Sequence, residues 1–443
     1  MQIINSQTKK KEHFDLSRDS IKLYVCGITP YDYAHLGHGR CYITFDILYR
    51  LLHFLDKEVI YVRNFTDIDD KIIAKAEKEY GSKEQYKKVA EKYIDAYLND
   101  MAQLNCLVPN KQPKVTESIP SIISFIQDLI DSGHAYESHG DVYFAVQTFP
   151  AYLALSKHKM KDLVVGSRSQ ENDRKKYPLD FALWKSEAAG TFFKSPWGYG
   201  RPGWHIECSV MAADHLGKTI DIHGGGQDLI FPHHENEKAQ SEARNQKSFV
   251  RLWMHNGFVC INKEKMSKSL GNFFTLRDIF KSFDPMVIRY YMTTHHYRAP
   301  LDFALQDLKA AQVAYDRLAS IFNKHNQSTI EKSLVKESPI VQKMQTFLMD
   351  DFNTPGMWGV VFENKEILKK DAATCGVVKQ FLQDVMGIMW HQQVPKKQDV
   401  PLEIQQLIDE RDQARKEKNW QRADEIRDQL KQLDFEIQDK KIT

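Results

Sequence analysis

The sequence has no run of eighteen or more apolar residues, so no segment is predicted to cross a membrane as a helix. Residues 1–11 are polar and have no apolar core of the kind that export leaders carry. Cysteine is also scarce, with six irregularly spaced residues in 443, which argues against a disulfide framework. Together these absences predict a cytoplasmic protein with reduced thiols and no membrane partner.

A strong charge of one sign is also missing, because the net charge at pH 7 is only +2. Any contact with nucleic acid must therefore come from local basic patches. The 42% of hydrophobic and 27% of charged residues are typical of a globular protein. A chain of this length has room for about three domains.

The first ninety residues contain the pattern of a strand, a helix and a second strand. Apolar residues recur at steps of three and four within the helical part, and β-branched runs flank it: Ile21–Val25, then Phe45, Leu48, Leu52 and Leu55, then Val59–Val62. Such a βαβ unit predicts a parallel sheet with ligands at the carboxyl ends of its strands. The start of the helix would offer free N–H groups to a phosphate.

Two histidines, His35 and His38, stand at the predicted helix start, beside Gly37 and Gly39. Alone, this stretch would be interpreted as a tight turn with two surface histidines. More than two hundred residues later follows Lys265-Met266-Ser267-Lys268-Ser269. The pair resembles the His-Ile-Gly-His and Lys-Met-Ser-Lys-Ser signatures of class I aminoacyl-tRNA synthetases, with Leu36 in place of the isoleucine.

Further motifs narrow the resemblance to the cysteinyl-tRNA synthetase family, and they extend from about Leu23 to Asp439. They are Cys26-Gly27, Asn64 to Lys71, Arg201 to Cys208, His223 to Gly226 and Phe231 to Glu237. The resemblance implies an α/β fold: a Rossmann-like catalytic domain with a connective insertion, then an α-helical bundle on the anticodon side and a short helical C-terminal segment. The implied boundaries are 1–111 and 220–300 for the catalytic domain, 112–219 for the insertion, 301–392 for the bundle and 402–443 for a shortened anticodon-recognition segment.

A zinc site is implied at the four positions that match metal ligands of the family, Cys26, Cys208, His233 and Glu237. From the residues alone, each would be interpreted as a core cysteine or an ordinary polar residue, although His233 and Glu237 have the four-residue spacing of one helix face. One zinc ion per chain would favour a substrate thiolate over a hydroxyl. Gly27, Thr66, Trp204 and Asp228 are the candidates for contact with cysteine; Trp204 could equally be a core aromatic and Thr66 a helix cap.

The resemblance further implies that ATP, with Mg²⁺, reacts with cysteine to give an adenylate. His35 and His38 would bind the triphosphate, Lys265 and Lys268 would hold the pyrophosphate side, and Gly224, Gly225 and Gly226 would approach the nucleotide through their backbone. The cysteinyl group would then pass to the 3′ end of tRNA(Cys). The family also implies a monomer.

Contact with tRNA is assigned to Arg411, Arg415, Trp420, Arg422 and Arg427. Arginine would meet phosphates and tryptophan would stack on a base. Acidic residues are interleaved with these positions, so a solvated helix face is the other interpretation. Two alternative functions also remain: a ligase that joins cysteine to an amino sugar, and a tRNA-binding protein without catalytic activity.

Overall fold

The computed structural model describes residues 1–18, 20–167, 173–261, 264–265, 274–324 and 329–391, together with 407, 410, 411, 413, 414, 417 and 419–432. The strands are β1 (Gln2–Asn5), β2 (Lys10–His13), β3 (Ser20–Ile28), β4 (Glu58–Phe65), β5 (Ala135–Ser138), β6 (Asp141–Phe144), β7 (Phe181–Ser186), β8 (Phe193–Ser195), β9 (Gly198–Pro202), β10 (Ile220–Gly226), β11 (Val250–Asn256), β12 (Val259–Ile261), β13 (Glu264–Lys265) and β14 (Leu301–Asp302).

The helices up to residue 245 are α1 (Leu36–Phe54), α2 (Asp70–Tyr80), α3 (Tyr86–Gln103), α4 (Ile119–Asp131), α5 (Met160–Ser167), α6 (Trp204–Leu216) and α7 (Glu235–Asn245). Those that follow are α8 (Leu276–Phe280), α9 (Pro285–Thr293), α10 (Leu305–Phe322), α11 (Lys332–Glu337), α12 (Pro339–Leu348), α13 (Thr354–Glu363), α14 (Lys365–Lys370) and α15 (Ala372–Asp384). A further helix, Trp420–Gln432, lies near the C-terminus.

A parallel sheet with the strand order β11-β10-β3-β4 carries the site, and it confirms the predicted parallel α/β architecture. Side chains alternate across β3, because successive residues of a strand point to opposite faces. Leu23 and Val25 join the core cluster that contains α1, whereas Tyr24 and Cys26 join the cluster that contains α6. Cys26 therefore faces the helix on which Cys208 lies.

The predicted insertion contains a second sheet, which is antiparallel and has the order β5-β6-β7-β9-β8. Here the sequence pattern predicts one strand, at residues 142–146, and does not predict the others in this sheet. β5, β8 and β9 have only three to five residues each, and several of these are charged or glycine. Helix α6, which follows this sheet, packs against β4 of the parallel sheet and against α7.

Helices dominate from Leu305 to Asp384, as the sequence predicted. The chain forms two compact units, Met1–Trp390 and His391–Thr443. In the described part of the second unit, the C-terminal helix buries Ala423, Ile426 and Leu430 along one stripe. Within the described ranges, no helix combines the length and apolarity that crossing a bilayer requires.

Candidate active site

The candidate residues converge at the carboxyl ends of the parallel strands. Cys26 and Gly27 lie near the end of β3, and Asn64 lies near the end of β4. His223 lies in β10, immediately before the three glycines that end this strand. His35 is the N-cap of α1, directly beyond β3. This edge is where open α/β sheets bind ligands.

The structure brings together the four side chains that the sequence assigned to a metal. The Cys26 and Cys208 sulfurs are 3.8 Å apart, and Cys26 Sγ lies 3.5 Å from Glu237 Oε1. His233 Nε2 lies 3.0 Å from the same Glu237 oxygen, one helical turn away. All four side chains are buried, and their donor atoms lie within 4.8 Å of one another.

These separations fit a tetrahedral zinc ion. Zn–S bonds of about 2.3 Å in a tetrahedron place two sulfurs about 3.8 Å apart, which is the separation of Cys26 and Cys208. The Cys26-to-Glu237 distance is close to that expected for one sulfur and one oxygen ligand. Two thiols, an imidazole and a carboxylate are also ligand types that zinc accepts. The residues therefore fit the metal that the family implies.

Two further histidines that the sequence analysis missed contact the same cluster. His234 Nε2 lies 3.3 Å from Cys26 Sγ, and His223 Nε2 lies 2.8 Å from Glu237 Oε2. Cys26, His223, His234 and Glu237 form a second geometrically acceptable metal set. The signal was present in the adjacent pair His233-His234, because the i, i+3 spacing of His234 and Glu237 also places both on one helix face.

The buried histidines form a chain that leads away from the cluster. His234 Nδ1 lies 2.8 Å from His255 Nε2, and His255 Nδ1 lies 2.8 Å from Ser6 Oγ in the N-terminal hairpin. Burial, reinforced by neighbouring histidines, lowers the pKa of both His234 and His255 well below the usual value. Both rings are therefore neutral near pH 7.

Burial also sets the protonation of the proposed ligands. It raises the pKa of the Cys26 thiol well above its usual value, and the neighbouring Cys208 and Glu237 raise it further. The pKa of His233 is lowered by burial and by His205. A neutral imidazole is ready to donate its lone pair, whereas the thiols need a cation beside them to ionise.

The residues predicted to contact the amino acid include Trp204, which lies beside His233. The Trp204 ring stacks on the His233 ring with centroids 4.3 Å apart, and Trp204 is 39% exposed, so it borders an opening rather than the core. Thr66 is buried, and its hydroxyl accepts a hydrogen bond of 3.3 Å from Asn64 Nδ2. Asp228 is exposed. The pocket roles of Gly27, Thr66, Trp204 and Asp228 stay predictions.

Asn64 is a third residue to which the sequence analysis gave no role in the site. Its Oδ1 accepts the Gly27 N–H at 2.9 Å and lies 3.7 Å from the Cys208 thiol. A Cβ at Gly27 would lie 1.6 Å from the Asn64 carbonyl oxygen, so this position requires glycine. One buried amide thus ties β3 and β4 together and touches a cysteine of the cluster.

His35 and His38 cap α1 reciprocally. His35 Nδ1 accepts the Gly37 and His38 N–H groups at 3.0 and 3.4 Å, and His38 Nδ1 accepts the His35 N–H at 3.2 Å. The two rings stack with centroids 3.7 Å apart. The pair therefore has a defined orientation at a helix N-terminus. The positive end of the helix dipole lies there and would attract a phosphate.

The three glycines at the end of β10 differ in their surroundings. Gly224 and Gly225 are buried, against the Phe45 ring and against His234 and Leu229 respectively, whereas Gly226 is partly exposed and approaches Asp228. Packing therefore explains the small residue at Gly224, since a Cβ there would lie 2.2 Å from Phe45. Approach of a nucleotide to this stretch stays a prediction.

The second signature lies largely outside the described residues. Lys265 pairs with Cys260 in the β12–β13 ladder, and Lys268 falls outside the described ranges. Among the tRNA candidates, Trp420 is 56% exposed, Arg422 pairs with Glu410 and Glu425, and Arg427 pairs with Asp424. Arg411 is buried rather than exposed, and Arg415 lies outside the described residues.

Comparison with known proteins identifies the family. A family model described as "tRNA synthetases class I (C) catalytic domain" matches residues 13–313, and one described as "Cysteinyl-tRNA ligase anticodon binding domain" matches residues 397–442. The cysteine–tRNA ligase of Pelobacter propionicus is 44% identical, over 99% of this chain and 98% of its own length. That of Lysinibacillus sphaericus is also 44% identical, over 99% and 97%.

Solved structures support the same fold at low sequence identity. Mycobacterium tuberculosis methionyl-tRNA synthetase in complex with methionyl-adenylate aligns with a TM-score of 0.61 at 13% identity, over 84% of this chain and 92% of that chain. A structure titled as a putative arginyl-tRNA synthetase from Campylobacter jejuni aligns with a TM-score of 0.56 at 13% identity, over 85% and 94%.

Proposed function

The chain belongs to the cysteinyl-tRNA synthetase family, and from this premise we propose that it activates L-cysteine with ATP and transfers it to tRNA(Cys). The observation that carries the choice of substrate is the buried cluster of Cys26, Cys208, His233 and Glu237 next to the half-exposed Trp204. Zinc, when bound, supplies a soft Lewis acid that favours a thiolate over a hydroxyl.

Cys26, Cys208, His233 and Glu237 would hold this ion, and the second set with His223 and His234 would then act as its buried surroundings. Two thiolates favour the first set, because they match a soft cation better than the single thiolate of the second set does. Trp204 would close one side of the pocket. Asn64 would keep Gly27 and Cys208 in register through its single amide oxygen.

The adenylation step needs positioning and charge stabilisation more than covalent help from the protein. His35 and His38, held by their reciprocal caps, would contact the triphosphate of ATP, which would arrive with Mg²⁺. Lys265 and Lys268 would bind the pyrophosphate side. The bond formed joins the cysteine carboxylate to the α-phosphate, and the bond broken releases pyrophosphate.

We place the reaction in the cytoplasm and propose a monomer. All six cysteines, each of which lies within the described ranges, are free thiols, and the cytoplasm keeps thiols reduced. Anticodon contact is assigned to the C-terminal unit that the second family model matches.

Charging of a tRNA(Cys) transcript with a GCA anticodon, by the purified protein with ATP and Mg²⁺, tests this function. We expect cysteine to be attached and serine to be left unused. Charging should fail when the anticodon is changed. Cysteine-dependent pyrophosphate exchange without charging of any tRNA would instead support the amino-sugar ligase, and the absence of exchange would support the non-catalytic tRNA-binding protein.

A further inference from the structure

The segment Phe274–Asp278, which follows the second signature in the chain, lies against the first signature. The Leu36 N–H donates to the Phe274 carbonyl at 3.4 Å, and the Leu276 N–H donates to the Ala34 carbonyl at 2.8 Å. His35 and Thr275 thus form an antiparallel bridge. The backbone that carries the N-cap of α1 is therefore held by this segment from outside its own helix.

Leu276 completes this contact in the core. Its side chain is fully buried, and a Cβ added at Gly39 would lie 3.0 Å from Leu276 Cδ2. The first turn of α1 and the first turn of α8 therefore touch through both backbone and side chains. A shift of α8 would also move His35 and His38, because the two elements are closely packed and there is no free volume between them to absorb the shift.

Arg277 fixes the position of α8. Its Nε donates to Asp100 Oδ1 at 3.0 Å and its Nη2 donates to the Ala96 carbonyl at 3.1 Å, so the guanidinium grips the last turns of α3 with two atoms. The Asp100 side chain is completely buried, although Arg277 itself is 37% exposed on its side chain. Burial raises the pKa of Asp100 and Arg277 opposes that rise, so the arginine stabilises this carboxylate.

The same guanidinium also covers Tyr33, two residues before His35. Arg277 Cζ lies 4.6 Å from the centre of the Tyr33 ring, and the Tyr33 ring meets the Tyr93 ring edge-on at 5.3 Å. Arg277 therefore contacts both α3 and the turn that leads into the first signature. Two independent paths, the His35–Thr275 bridge and Tyr33, connect it to the start of α1.

We propose that Arg277 is a positioning residue for ATP activation: it holds the His35–His38 helix start in place through Thr275 and Tyr33. The inference rests on the proposed function, because it needs the adenylation reaction as its readout. A misplacement of the two histidines by about 1 Å would lower the rate by up to about 100-fold. The zinc cluster and the cysteine pocket are held by other elements and should be unaffected.

Steady-state kinetics of cysteine-dependent ATP–pyrophosphate exchange test the proposal, with full-length wild type, Arg277→Ala, Arg277→Lys and Lys281→Ala. Lys281→Ala is the matched control, since Lys281 follows the same helix and pairs only with exposed Asp278 among the residues described. For Arg277→Ala we expect kcat/KM for ATP to fall between about 10-fold and 100-fold. The KM for cysteine and the zinc content should stay as in Lys281→Ala.

Arg277→Lys separates positioning from stability. Lysine keeps the positive charge beside Asp100. It lacks the second N–H group that binds the Ala96 carbonyl and the planar guanidinium that covers the Tyr33 ring. We expect its Tm to return close to that of wild type while kcat/KM for ATP stays reduced. If Arg277→Ala does not fold, this variant decides alone.

The proposal is overturned if kcat/KM for ATP in Arg277→Lys matches that of Lys281→Ala. It is also overturned if the constants for ATP and cysteine fall together with the Tm, because that pattern indicates a purely structural role. If the wild type shows no exchange, the proposed function itself is wrong and this inference falls with it. That result differs from an active wild type whose Arg277 variants behave like the control, so the two failures are distinguishable.

Discussion

At the scale of single residues, Glu237 is the hub of the candidate site. One of its oxygens lies 3.5 Å from Cys26 and 3.0 Å from His233, and the other lies 2.8 Å from His223. A carboxylate with no exposed surface needs such partners, because an unpaired buried charge is strongly destabilising. The choice between the two metal sets therefore depends on residues that only one of them contains.

Cys208→Ser tests that choice. We expect zinc affinity, measured by chelator competition, to fall at least about 100-fold, because a direct ligand matters more than the surrounding residues whose loss costs 10- to 100-fold. Discrimination of cysteine from serine, roughly 10⁴-fold in a site built for one polar group, should then be lost. Cys375→Ser is the control, because Cys375 is a buried cysteine that contacts the Ile321 carbonyl. This variant should keep both the zinc affinity and the discrimination against serine. Unchanged zinc affinity in Cys208→Ser would favour the set with His223 and His234.

His255 makes the stability of the metal-free protein depend on pH. Burial holds its folded pKa well below the unfolded value of about 6.5. The unfolded chain therefore binds this proton first on acidification, and the free energy of unfolding falls as the pH drops below about 6.5. One such group contributes a slope that is about half of 1.4 kcal/mol per pH unit at pH 6.5 and approaches 1.4 kcal/mol per pH unit about one unit lower.

Urea unfolding of the metal-free protein between about pH 7 and pH 5.5 measures this slope. His255→Gln should reduce the average slope over this range by about 0.8 kcal/mol per pH unit. His13→Gln is the control, because that histidine is exposed, and its slope should equal that of wild type. An equal slope in all three proteins would mean that His255 titrates alike in the folded and unfolded chains.

At the scale of elements, α1 is anchored at its start and at its middle. Its start is held by Phe274–Asp278, and its middle by a buried ion network in which Asp46 pairs with Arg50 and Arg289. Arg289 also donates to the carbonyls of Leu104 at 2.8 Å and Met386 at 2.6 Å, after the ends of α3 and α15. The network therefore ties the helix of the first signature to the last helix of the bundle.

Asp46→Asn tests how much this junction stabilises the fold. Burial alone would raise the pKa of Asp46, but Arg289 and Arg50 keep it below its usual value, so the folded protein holds an ionised carboxylate. Neutralising it leaves two buried guanidinium groups without their anion, at a cost of about 3–5 kcal/mol in the free energy of unfolding. Chemical denaturation measures the change.

Glu363→Gln is the matched control, because Glu363 pairs with Lys343 in an exposed salt bridge. Exposed pairs contribute at most about 1 kcal/mol, so this variant should stay close to wild type. A loss of similar size in both variants would show that Asp46 contributes no more than a surface pair.

At the scale of the whole molecule, activation and anticodon contact are assigned to different units. The described candidates for cysteine, metal and ATP lie in Met1–Trp390, whereas the anticodon-binding family model matches residues 397–442. Sequence-specific RNA recognition reads unpaired loop bases, which the second unit would contact independently of the sheet.

Ending the chain at Trp390 should therefore separate the two reactions. We expect cysteine-dependent pyrophosphate exchange within about twofold of the full chain. The kcat/KM for tRNA charging should be lower by about tenfold or more, a loss of about 1.4 kcal/mol or more in transition-state stabilisation. The full chain with an altered-anticodon tRNA is the comparison and should show a similar loss. Equal charging by both proteins would mean that the second unit contributes nothing to tRNA recognition.

Local patterns in the sequence were enough for the elements around the site. The three- and four-residue periodicity from Phe45 to Leu55 predicted α1, and the β-branched runs predicted β3 and β4, because such periods follow from backbone geometry alone. The four-residue spacing of His233 and Glu237 likewise placed both on one helix face. Short motifs were enough to identify the family.

The family resemblance implied that Cys26 and Cys208 share a metal ion, but only the tertiary structure decided how distant residues meet. Cys26 and Cys208 are 182 residues apart in the chain, yet their sulfurs are 3.8 Å apart because β3 and α6 pack face to face. No local pattern in the sequence indicates the contacts of His223 and His255, the contact of Arg277 with Asp100 or the burial of Arg411. Such contacts depend on how whole elements pack, and no short period of apolar residues encodes that packing.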